Sequence, residues 1–265
     1  MTVLTATGSI AEAYQKQFEC RVVSARFASD QELEQIFGEA TAIIHNAASV
    51  HCADVRDAVA SNFILTKRVL DIAYRVNPQI PFCYISSMSI LQDENIYKPF
   101  DRMTPYAFSK YLGEMYCLRH PHQQTYCTRF STIFYGDEKR DGLSKLVFNA
   151  VRYRKITIYN GGSADRDFIP LTLAVQYLDR LLAQKPAVRV LNIVSGRRTS
   201  FKHVADLLRS DMPDLEVEDL PNESKEPVLS SFTTKGVGSI GEITHNLEYF
   251  IMRYIRQLQN ESAYL

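Results

Sequence analysis

Short apolar runs alternate with segments of helical periodicity over the first two-thirds of the chain. This alternation is typical of βα units that build a doubly wound parallel sheet, so we predict an α/β fold. The segment 53–76 has apolar residues at three- and four-residue steps, including Val55 and Val59, which predicts one amphipathic helix capable of covering the sheet. Asp30 is expected to cap the N-terminus of the short helix 30–37. The predicted strands are 3–5, 21–25, 41–46, 82–87, 125–132 and 189–194, and the predicted helices are 9–18, 30–37, 53–76 and 105–118.

The last third of the chain has a different character, with shorter helices, a Gly161-Gly162 pair and an acidic segment at 215–219. We interpret much of it as a smaller domain that caps the sheet. The predicted division places residues 1–135 and about 167–200 in the sheet domain. It places residues 136–166 and 201–265 in the cap.

Composition excludes several classes of protein. Hydrophobic residues make up 46% of the 265 residues, and 30 basic residues balance 30 acidic ones. A net charge of zero gives no support to binding of nucleic acid or of an acidic membrane surface. No apolar run approaches the roughly 18 residues of a membrane helix, and the N-terminus lacks the pattern of a secretory signal, so we expect a cytoplasmic protein. The five cysteines are odd in number and form no Cys-x-x-Cys pair, which favours reduced thiols and predicts no metal site.

The most informative segment is Tyr106-Ala107-Phe108-Ser109-Lys110, where the spacing places Tyr106 and Lys110 on one face of a helix. A phenol with a free pKa near 10 is a poor acid–base catalyst at neutral pH. A neighbouring cation favours the phenolate and lowers that pKa, which makes proton exchange with a substrate hydroxyl feasible.

Two strand ends lie upstream of this pair. Ser86 and Ser87 end the predicted strand 82–87, at the edge where open α/β sheets bind ligands. A serine there can hydrogen-bond the oxygen that Tyr106 protonates or deprotonates. Small residues follow the strand that ends near Asn46, where a cofactor can approach the backbone closely.

This ordered set resembles the extended short-chain dehydrogenase/reductase family, the NAD(P)-dependent epimerases, dehydratases and reductases of nucleotide sugars. The resemblance implies a Rossmann-type sheet with a smaller C-terminal substrate-binding cap, an NAD(P) cofactor, a nucleotide-sugar substrate and a homodimer. The similar segments are 6–11, the nucleotide loop; 45–48, a strand end; 84–90, the serine strand; Tyr106 with Lys110, the catalytic pair; 129–136; and 166–169, whose arginine touches phosphates.

The resemblance also implies roles for individual residues. Tyr106 is the general acid/base, Lys110 lowers its pKa while holding the nicotinamide ribose, and Ser87 polarises the reacting oxygen. The implied cofactor-binding residues are Gly8, Ser9, Ile10, Arg26, Asn46, Ala47, Ala48, Asn62, Ser86, Tyr106 and Lys110. The implied substrate-binding residues are His51, Thr132 and Arg166, although an ion pair between Arg166 and Asp165 is a competing interpretation. His45, within an apolar strand, is expected to be a core residue.

The nucleotide loop departs from the family pattern of three glycines. Its glycine positions hold Thr5, Gly8 and Ala11, so only the middle glycine is present. Threonine does not readily adopt a positive φ, so either the turn differs or cofactor affinity suffers.

The second predicted strand ends without the acidic residue that holds an NAD ribose. Arg26 is found there, which favours a 2′-phosphate and therefore NADP, with NAD as the alternative. Phe27 lies about where the family has an adenine-facing Asp. The segment before the third strand is short, so one βα unit is expected to be absent. This resembles the family's 4-keto-sugar reductases.

Three functional interpretations remain open. Epimerase or reductase chemistry is favoured over dehydration, because Met88 and Ser89 follow Ser87 where dehydratases carry an Asp-Glu pair. The altered loop supports a family member that binds a ligand or partner without catalysis. An acyl or thioester reductase, with a carrier protein or coenzyme A as partner, is the third interpretation.

Overall fold

The structure is a computed structural model that describes residues 1–93, 96–137, 140–221 and 245–262. Its strands are β1 (Thr2–Leu4), β2 (Cys20–Val22), β3 (Ala42–His45), β4 (Phe82–Ser87), β5 (Leu91–Asp93), β6 (Ile96–Tyr97), β7 (Thr125–Phe130), β8 (Thr132–Phe134), β9 (Lys155–Tyr159), β10 (Asp165–Pro170), β11 (Val190–Ile193), β12 (Arg198–Ser200) and β13 (Glu216–Leu220). Its helices are α1 (Ser9–Gln15), α2 (Asp30–Gly38), α3 (Val55–Ala58), α4 (Ile64–Val76), α5 (Pro105–Arg119), α6 (Gly142–Tyr153), α7 (Leu171–Gln184), α8 (Phe201–Asp211) and α9 (Leu247–Ser262).

The main sheet has six strands in the order β11-β7-β4-β3-β1-β2, and every neighbouring pair is parallel. The predicted α/β fold is therefore confirmed. Only α2 links β2 to β3, as the short connecting segment predicts. The chain runs outward from β1 to β2 and then returns past β1 to β3. The strand order thus reverses between β1 and β3, and open α/β sheets bind ligands at such a point.

The chain divides into two compact units. The first contains residues 1–130 and 172–193, and the second contains residues 131–171 and, among the described residues, 194–221 and 245–262. The division after Phe130 falls five residues earlier than the sequence-based boundary, so β8 belongs to the second unit. β10 also belongs to the second unit, because the first unit resumes at residue 172 rather than at about 167. That the first unit binds a cofactor and the second a substrate stays a prediction.

The core of the first unit lies around the main sheet. Helices α2 and α4 pack their apolar faces together, and all four residues of β3 are buried. Burial of a complete strand is typical of a parallel sheet that is covered on both faces. The large buried side chains of this core include Leu33, Phe37, Ile43, Leu70 and Phe82.

The second unit has a separate core formed by α6, α8, α9 and neighbouring strands. It contains a three-stranded sheet, β12-β10-β8, and a parallel pair, β13-β9. Its buried apolar residues include Leu143, Val147, Phe168, Leu208 and Ile255.

The helix predicted over 53–76 is present over 55–76, but it is not a regular α-helix throughout. A π-helical segment, Val59–Phe63, separates α3 from α4. A π turn holds one residue more than an α turn and therefore rotates the preceding turn relative to the following one. Val55 is consequently 46% exposed although the spacing predicts it in the apolar stripe. Ala58 and Asn62 are buried instead.

Helix α2 is capped by Ser29 rather than by the predicted Asp30. The Ser29 hydroxyl accepts a hydrogen bond from the backbone N–H of Glu32, and the Glu32 carboxylate accepts one from the Ser29 backbone N–H. This reciprocal capping box satisfies two N–H groups at the start of the helix. Asp30 occupies the first helical position and its carboxylate pairs with Arg68.

All five cysteines are free thiols. Cys83, Cys117 and Cys127 are buried, whereas Cys20 and Cys52 are half-buried. Burial raises the pKa of the Cys83 thiol to about 12, which keeps it protonated and unreactive at neutral pH. Across the residues that the structure describes, no helix is long and apolar enough to cross a membrane, and no three His, Cys, Asp or Glu side chains are grouped to hold a metal ion.

Candidate active site

The loop after β1 turns at Gly8, whose φ of 115° lies in the region that favours glycine. A Cβ built at Gly8 meets no atom within 4 Å, so the backbone conformation rather than lack of space requires glycine. Ser9 and Ile10 follow in the first turn of α1. Ala11 is 1% exposed, and its small side chain allows α1 to pack closely at the third position of the loop.

Thr5 stands at the first glycine position of the loop and does not adopt a positive φ. Thr5 continues the sheet pairing of β1: its N–H donates to Ile44 O at 3.1 Å, and its carbonyl accepts from the N–H of Ala25 at 2.9 Å. Its side chain is fully buried, and its hydroxyl lies 2.7 Å from Nδ1 of His45.

The polar side chains at the end of β3 form hydrogen bonds with other residues of the protein. His45 is fully buried with both ring nitrogens in hydrogen bonds, which confirms it as a core residue. Burial and the nearby Lys110 lower the pKa of His45 to about 3. The Asn46 amide, predicted to contact a cofactor, bonds both backbone groups of Ala6 at 2.9 Å. Ala47 is buried beside them.

Asn62 is a second predicted cofactor contact whose side chain has protein partners. It lies in the π-helical segment, where its Oδ1 accepts from the Ser49 N–H at 2.7 Å and its Nδ2 donates to Ser49 O and Ser109 Oγ, each at 3.0 Å. Asn62 thus fixes the loop after β3 against α5. In that loop Ala48 is half-buried and His51 is exposed.

The start of α5 places the catalytic pair predicted from the sequence. Thr104 caps the helix by accepting from the Ala107 N–H at 3.2 Å, and Pro105 occupies the first helical position, where its missing N–H has no consequence. Tyr106 follows in the first turn and is half-buried. Lys110 lies one turn later on the same side and is 2% exposed.

The Lys110 ammonium connects α5 to the serine strand. Its Nζ donates to Ile85 O at 2.6 Å and lies 4.9 Å from the ring centre of Tyr84 and 5.8 Å from that of Tyr106. Burial lowers the pKa of Lys110 to about 8. The carbonyl and the two rings stabilise the cation, which remains the major form at neutral pH.

The two serines that follow Ile85 have different environments. Ser87 is half-buried, and its Oγ accepts from the Ser89 N–H at 3.1 Å and lies 2.9 Å from Ser89 Oγ. Ser86 is 3% exposed, and its Oγ has no hydrogen-bond partner among the described residues. Buried hydroxyls are normally satisfied, so the Ser86 hydroxyl lacks a partner that a ligand could supply. This orphaned hydroxyl and the open space around Gly8 fit a dinucleotide bound along this edge of the sheet.

Arg26 and Phe27 lie just beyond β2 on a turn that Arg68 holds in place. Arg68 donates to Ala25 O at 2.8 Å and to Ala28 O at 2.6 Å. Phe27 is 85% exposed. Arg26 is also exposed, and its guanidinium donates to Ser61 O at 3.1 Å.

The substrate-binding residues predicted in the second unit lie on two adjacent parallel strands. Thr132 begins β8 and is half-buried, and Arg166 lies on β10. The competing ion pair does not form, because the Asp165 carboxylate pairs with Arg198. Arg166 instead donates to the backbone carbonyl of Asp165 at 2.9 Å, and it has no carboxylate partner among the described residues. Its charge is therefore available to an anion.

A buried polar cluster next to the predicted catalytic pair could not be identified from the sequence. Glu114 is fully buried one turn beyond Lys110, and both its carboxylate oxygens accept from Nε of Arg129, at 3.1 and 3.0 Å. Tyr97 joins them, since its hydroxyl donates to Glu114 at 2.8 Å and accepts from Arg129 at 2.7 Å. Only the i+4 spacing from Lys110 to Glu114 could have signalled this arrangement.

A family model described as "NAD dependent epimerase/dehydratase family" matches residues 3–194. The chain belongs to this family. Among curated proteins none matches the chain. Solved structures with the same fold cover 98% of this chain. Their sequence identities of 15–17% show a shared fold and nothing further.

One such structure is a UDP-N-acetylglucosamine 4-epimerase from Methanobrevibacter ruminantium M1 in complex with UDP-N-acetylmuramic acid, with 15% identity, a TM-score of 0.82 and 98% of each chain covered. Another is RMD from Pseudomonas aeruginosa complexed with NADPH, with 17% identity, a TM-score of 0.82 and 98% of this chain and 99% of that chain covered. A third is TunA, an NAD-dependent NDP-hexosamine 5,6-dehydratase of tunicamycin biosynthesis, with 17% identity, a TM-score of 0.79 and 98% of each chain covered. Solved proteins with this fold thus include an epimerase and a dehydratase.

Proposed function

We propose that this protein is an NAD(P)-dependent oxidoreductase or epimerase that acts on a nucleotide-linked sugar or keto-sugar, with NADP as its preferred cofactor. Tyr106 serves as the general acid/base, Lys110 favours its phenolate form, and Ser87 polarises the reacting oxygen. A bound nicotinamide supplies or accepts the hydride.

The observation that carries the proposal is the convergence of α5 and β4. Lys110 Nζ lies 5.8 Å from the Tyr106 ring centre and 2.6 Å from Ile85 O, next to the two serines. A cation at this range stabilises a phenolate more than a phenol, and its effect is strong because the amine is buried. In the proposal, this interaction lets the Tyr106 hydroxyl exchange a proton with the substrate.

Two features support the choice of cofactor. The Ser86 hydroxyl and the loop at Gly8 fit a dinucleotide, as described above. Arg26 is exposed at the end of β2, where an acidic residue would favour NAD and an arginine accommodates a 2′-phosphate. One guanidinium nitrogen of Arg26 donates to Ser61 O, which holds the side chain in position.

The substrate class is supported by Arg166 and by the relatives. Arg166 has no carboxylate partner among the described residues, and a guanidinium binds phosphate oxygens in a bidentate manner. We propose that it binds the diphosphate of a sugar nucleotide, with Thr132 and His51 as further substrate contacts. A protein with this fold, MoeE5, has been solved in complex with UDP-glucuronic acid and with UDP-glucose.

Dehydration is not part of the proposal. The residues after Ser87 are Met88 and Ser89, and they form a short 3₁₀ turn that Ser87 itself caps. Neither residue can protonate a departing hydroxyl, which an elimination requires.

Titration with NADPH and NADH, followed by nicotinamide fluorescence, is the first test. We expect NADPH to bind at least about tenfold more tightly than NADH, and the Arg26→Ala variant to lose this preference. Binding of NADH alone would refute the role of Arg26 but retain the enzyme. If folded, cofactor-free protein binds neither, a non-catalytic family member becomes the better interpretation.

Turnover with a panel of UDP- and dTDP-linked keto-sugars is the second test. Tyr106→Phe should abolish turnover and leave NADPH affinity within about twofold, because only the proton-transferring oxygen is removed. Tyr111→Phe is the matched control on the same helix, and we expect it to retain turnover. Retained activity in Tyr106→Phe would contradict the assignment. Reduction of a coenzyme A thioester, with no turnover of any sugar nucleotide, would favour the acyl reductase instead.

A further inference from the structure

The ends of β1 and β3 are joined by a set of side-chain hydrogen bonds that we call the loop staple; it consists of Thr5, Ala6, His45 and Asn46. The Asn46 amide accepts from the Ala6 N–H and donates to the Ala6 carbonyl, both at 2.9 Å. One side chain thereby satisfies both backbone groups of Ala6, as a neighbouring strand would.

The second part of the loop staple is the bond between Thr5 and His45, and its polarity can be deduced. The Thr66 hydroxyl donates to Asn62 O at 2.8 Å, so it must accept from Nε2 of His45, which lies 3.0 Å away. The buried ring is neutral and carries a single proton, which is therefore on Nε2. His45 Nδ1 is left as an acceptor, and the Thr5 hydroxyl donates to it at 2.7 Å.

The loop staple lies at the point where the strand order reverses, between β1 and β3. In the family pattern a glycine at the first position makes the tight turn of the nucleotide loop. Here Thr5 keeps the pairing of β1, and the positive φ is found at Gly8, three residues later. Side-chain hydrogen bonds thus fix the segment between them, where the family pattern relies on glycine.

We infer that Thr5 and Asn46 are positioning residues that hold residues 5–8 in the geometry that binds a dinucleotide, in place of the missing first glycine. This inference rests on the proposed function. It changes the predicted role of Asn46 from a direct cofactor contact to a support for Ala6. It also makes Thr5 a functional replacement for glycine, rather than a sign that the nucleotide loop has lost its function.

The inference makes an unusual prediction, namely that restoring the glycine impairs the loop. Thr5→Gly and Thr5→Val remove the hydroxyl that donates to His45, and Asn46→Ala removes both bonds to Ala6. We expect each variant to bind NADPH at least about tenfold more weakly, because each loses at least one hydrogen bond that holds the loop. Thr5→Ser retains the hydroxyl and should bind within about threefold of the unchanged protein.

Hydrogen–deuterium exchange of the free protein provides a readout that needs no ligand. A peptide covering residues 5–12 should exchange faster in Thr5→Gly and Asn46→Ala and at the original rate in Thr5→Ser. Thr125→Val is the matched control, because it removes a fully buried hydroxyl that donates to His122 O at 3.0 Å, at the opposite end of a sheet strand. It should lower thermal stability and leave both loop exchange and NADPH affinity unchanged.

The outcomes separate the inference from the proposed function. Failure of the unchanged protein to bind any dinucleotide overturns the proposed function and the assigned role together. Binding that is equal or tighter in Thr5→Gly or Asn46→Ala overturns the inference alone, and tighter binding in Asn46→Ala would show that the amide obstructs the site. Weaker binding with faster loop exchange, restored in Thr5→Ser and absent in Thr125→Val, supports it.

Discussion

Glu114 and Arg129 form an ion pair that is almost completely excluded from water, with exposures of 0% and 3%. Removing two charges from water is unfavourable, so such a pair stabilises a protein only when its geometry is good and its remaining polar atoms are satisfied. Here Nε of Arg129 bridges both carboxylate oxygens, and the Tyr97 hydroxyl occupies a further site on each partner. The pair fixes α5 to β7 one turn beyond Lys110.

Breaking this pair from one side should be strongly destabilising. Glu114→Gln leaves the Arg129 guanidinium buried without a counter-charge, and we expect a loss of about 3–5 kcal/mol in the free energy of unfolding. Tyr97→Phe leaves the pair intact and should lose less, about 1.5–3 kcal/mol, the usual contribution of a hydrogen bond to a charged group. Urea unfolding of the three proteins measures both values. A loss below about 1 kcal/mol in Glu114→Gln would mean that the charges are not effectively buried.

Single residues differ in how far the sequence could predict them. Tyr106 and Lys110 could be found because their spacing along one helix brings them together without any tertiary information. Asn46 was identified as a site residue, but its partner depends on which strand lies beside β3, and that is a property of the folded sheet. Glu114 is an ordinary helical residue in the sequence, and only the position of Arg129 gives it a function.

At the scale of elements, α5 approaches β4 closely at Gly113. A Cβ built on Gly113 would overlap the hydroxyl and ring of Tyr84. That ring is 1% exposed and lies 4.9 Å from Lys110 Nζ, so it has no free space into which to move. The glycine therefore sets the distance between α5 and β4.

Gly113→Ala should destabilise the protein by about 1–3 kcal/mol, the usual cost of adding a methyl group to a filled core. Gly38→Ala is the matched control, since a Cβ there meets only Val76 Cγ1, at 3.8 Å. In the helix α2 it should stabilise the protein by up to about 1 kcal/mol, because alanine favours helix. Thermal or urea unfolding distinguishes the two, and equal effects would show that α5 can shift away from Tyr84.

Most elements could be located from periodicity, because a sheet covered on both faces produces continuous apolar runs such as 82–87. The interruption of the helix over 53–76 could not. A π turn inserts one residue without any change in hydrophobic pattern that a 3.6-residue period would detect. The buried Asn62 at that turn, bonded to Ser49 and Ser109, shows its tertiary cause.

At the scale of the whole molecule, two neutral histidines make stability depend on pH. Burial lowers the pKa of His45 to about 3 and that of His122 to about 4, from 6.5 in an unfolded chain. Above pH 6.5 both states are neutral and the histidines have no effect. As the pH falls below 6.5, the unfolded chain binds protons that the folded protein excludes, so stability falls until the folded histidines are themselves protonated.

We expect the free energy of unfolding to decrease between pH 6.5 and about 4, by up to about 1.4 kcal/mol per pH unit for each histidine. Both ring nitrogens of His122 are buried without a partner among the described residues. His122→Leu should therefore be neutral or stabilising at pH 7.5 and reduce the slope by about half. Equal slopes in the unchanged protein and in His122→Leu would refute this account.

The short connection through α2 also determines where the sheet ends. With no further unit between β2 and β3, β2 is an edge strand, and such a strand presents unpaired backbone groups on which another chain can assemble. β2 is only three residues long, and its central Arg21 is exposed and lies 3.5 Å from Glu39. Brevity and charge both oppose intermolecular β-pairing. The six-stranded sheet thus ends, on this side, in a strand that is a poor template for aggregation.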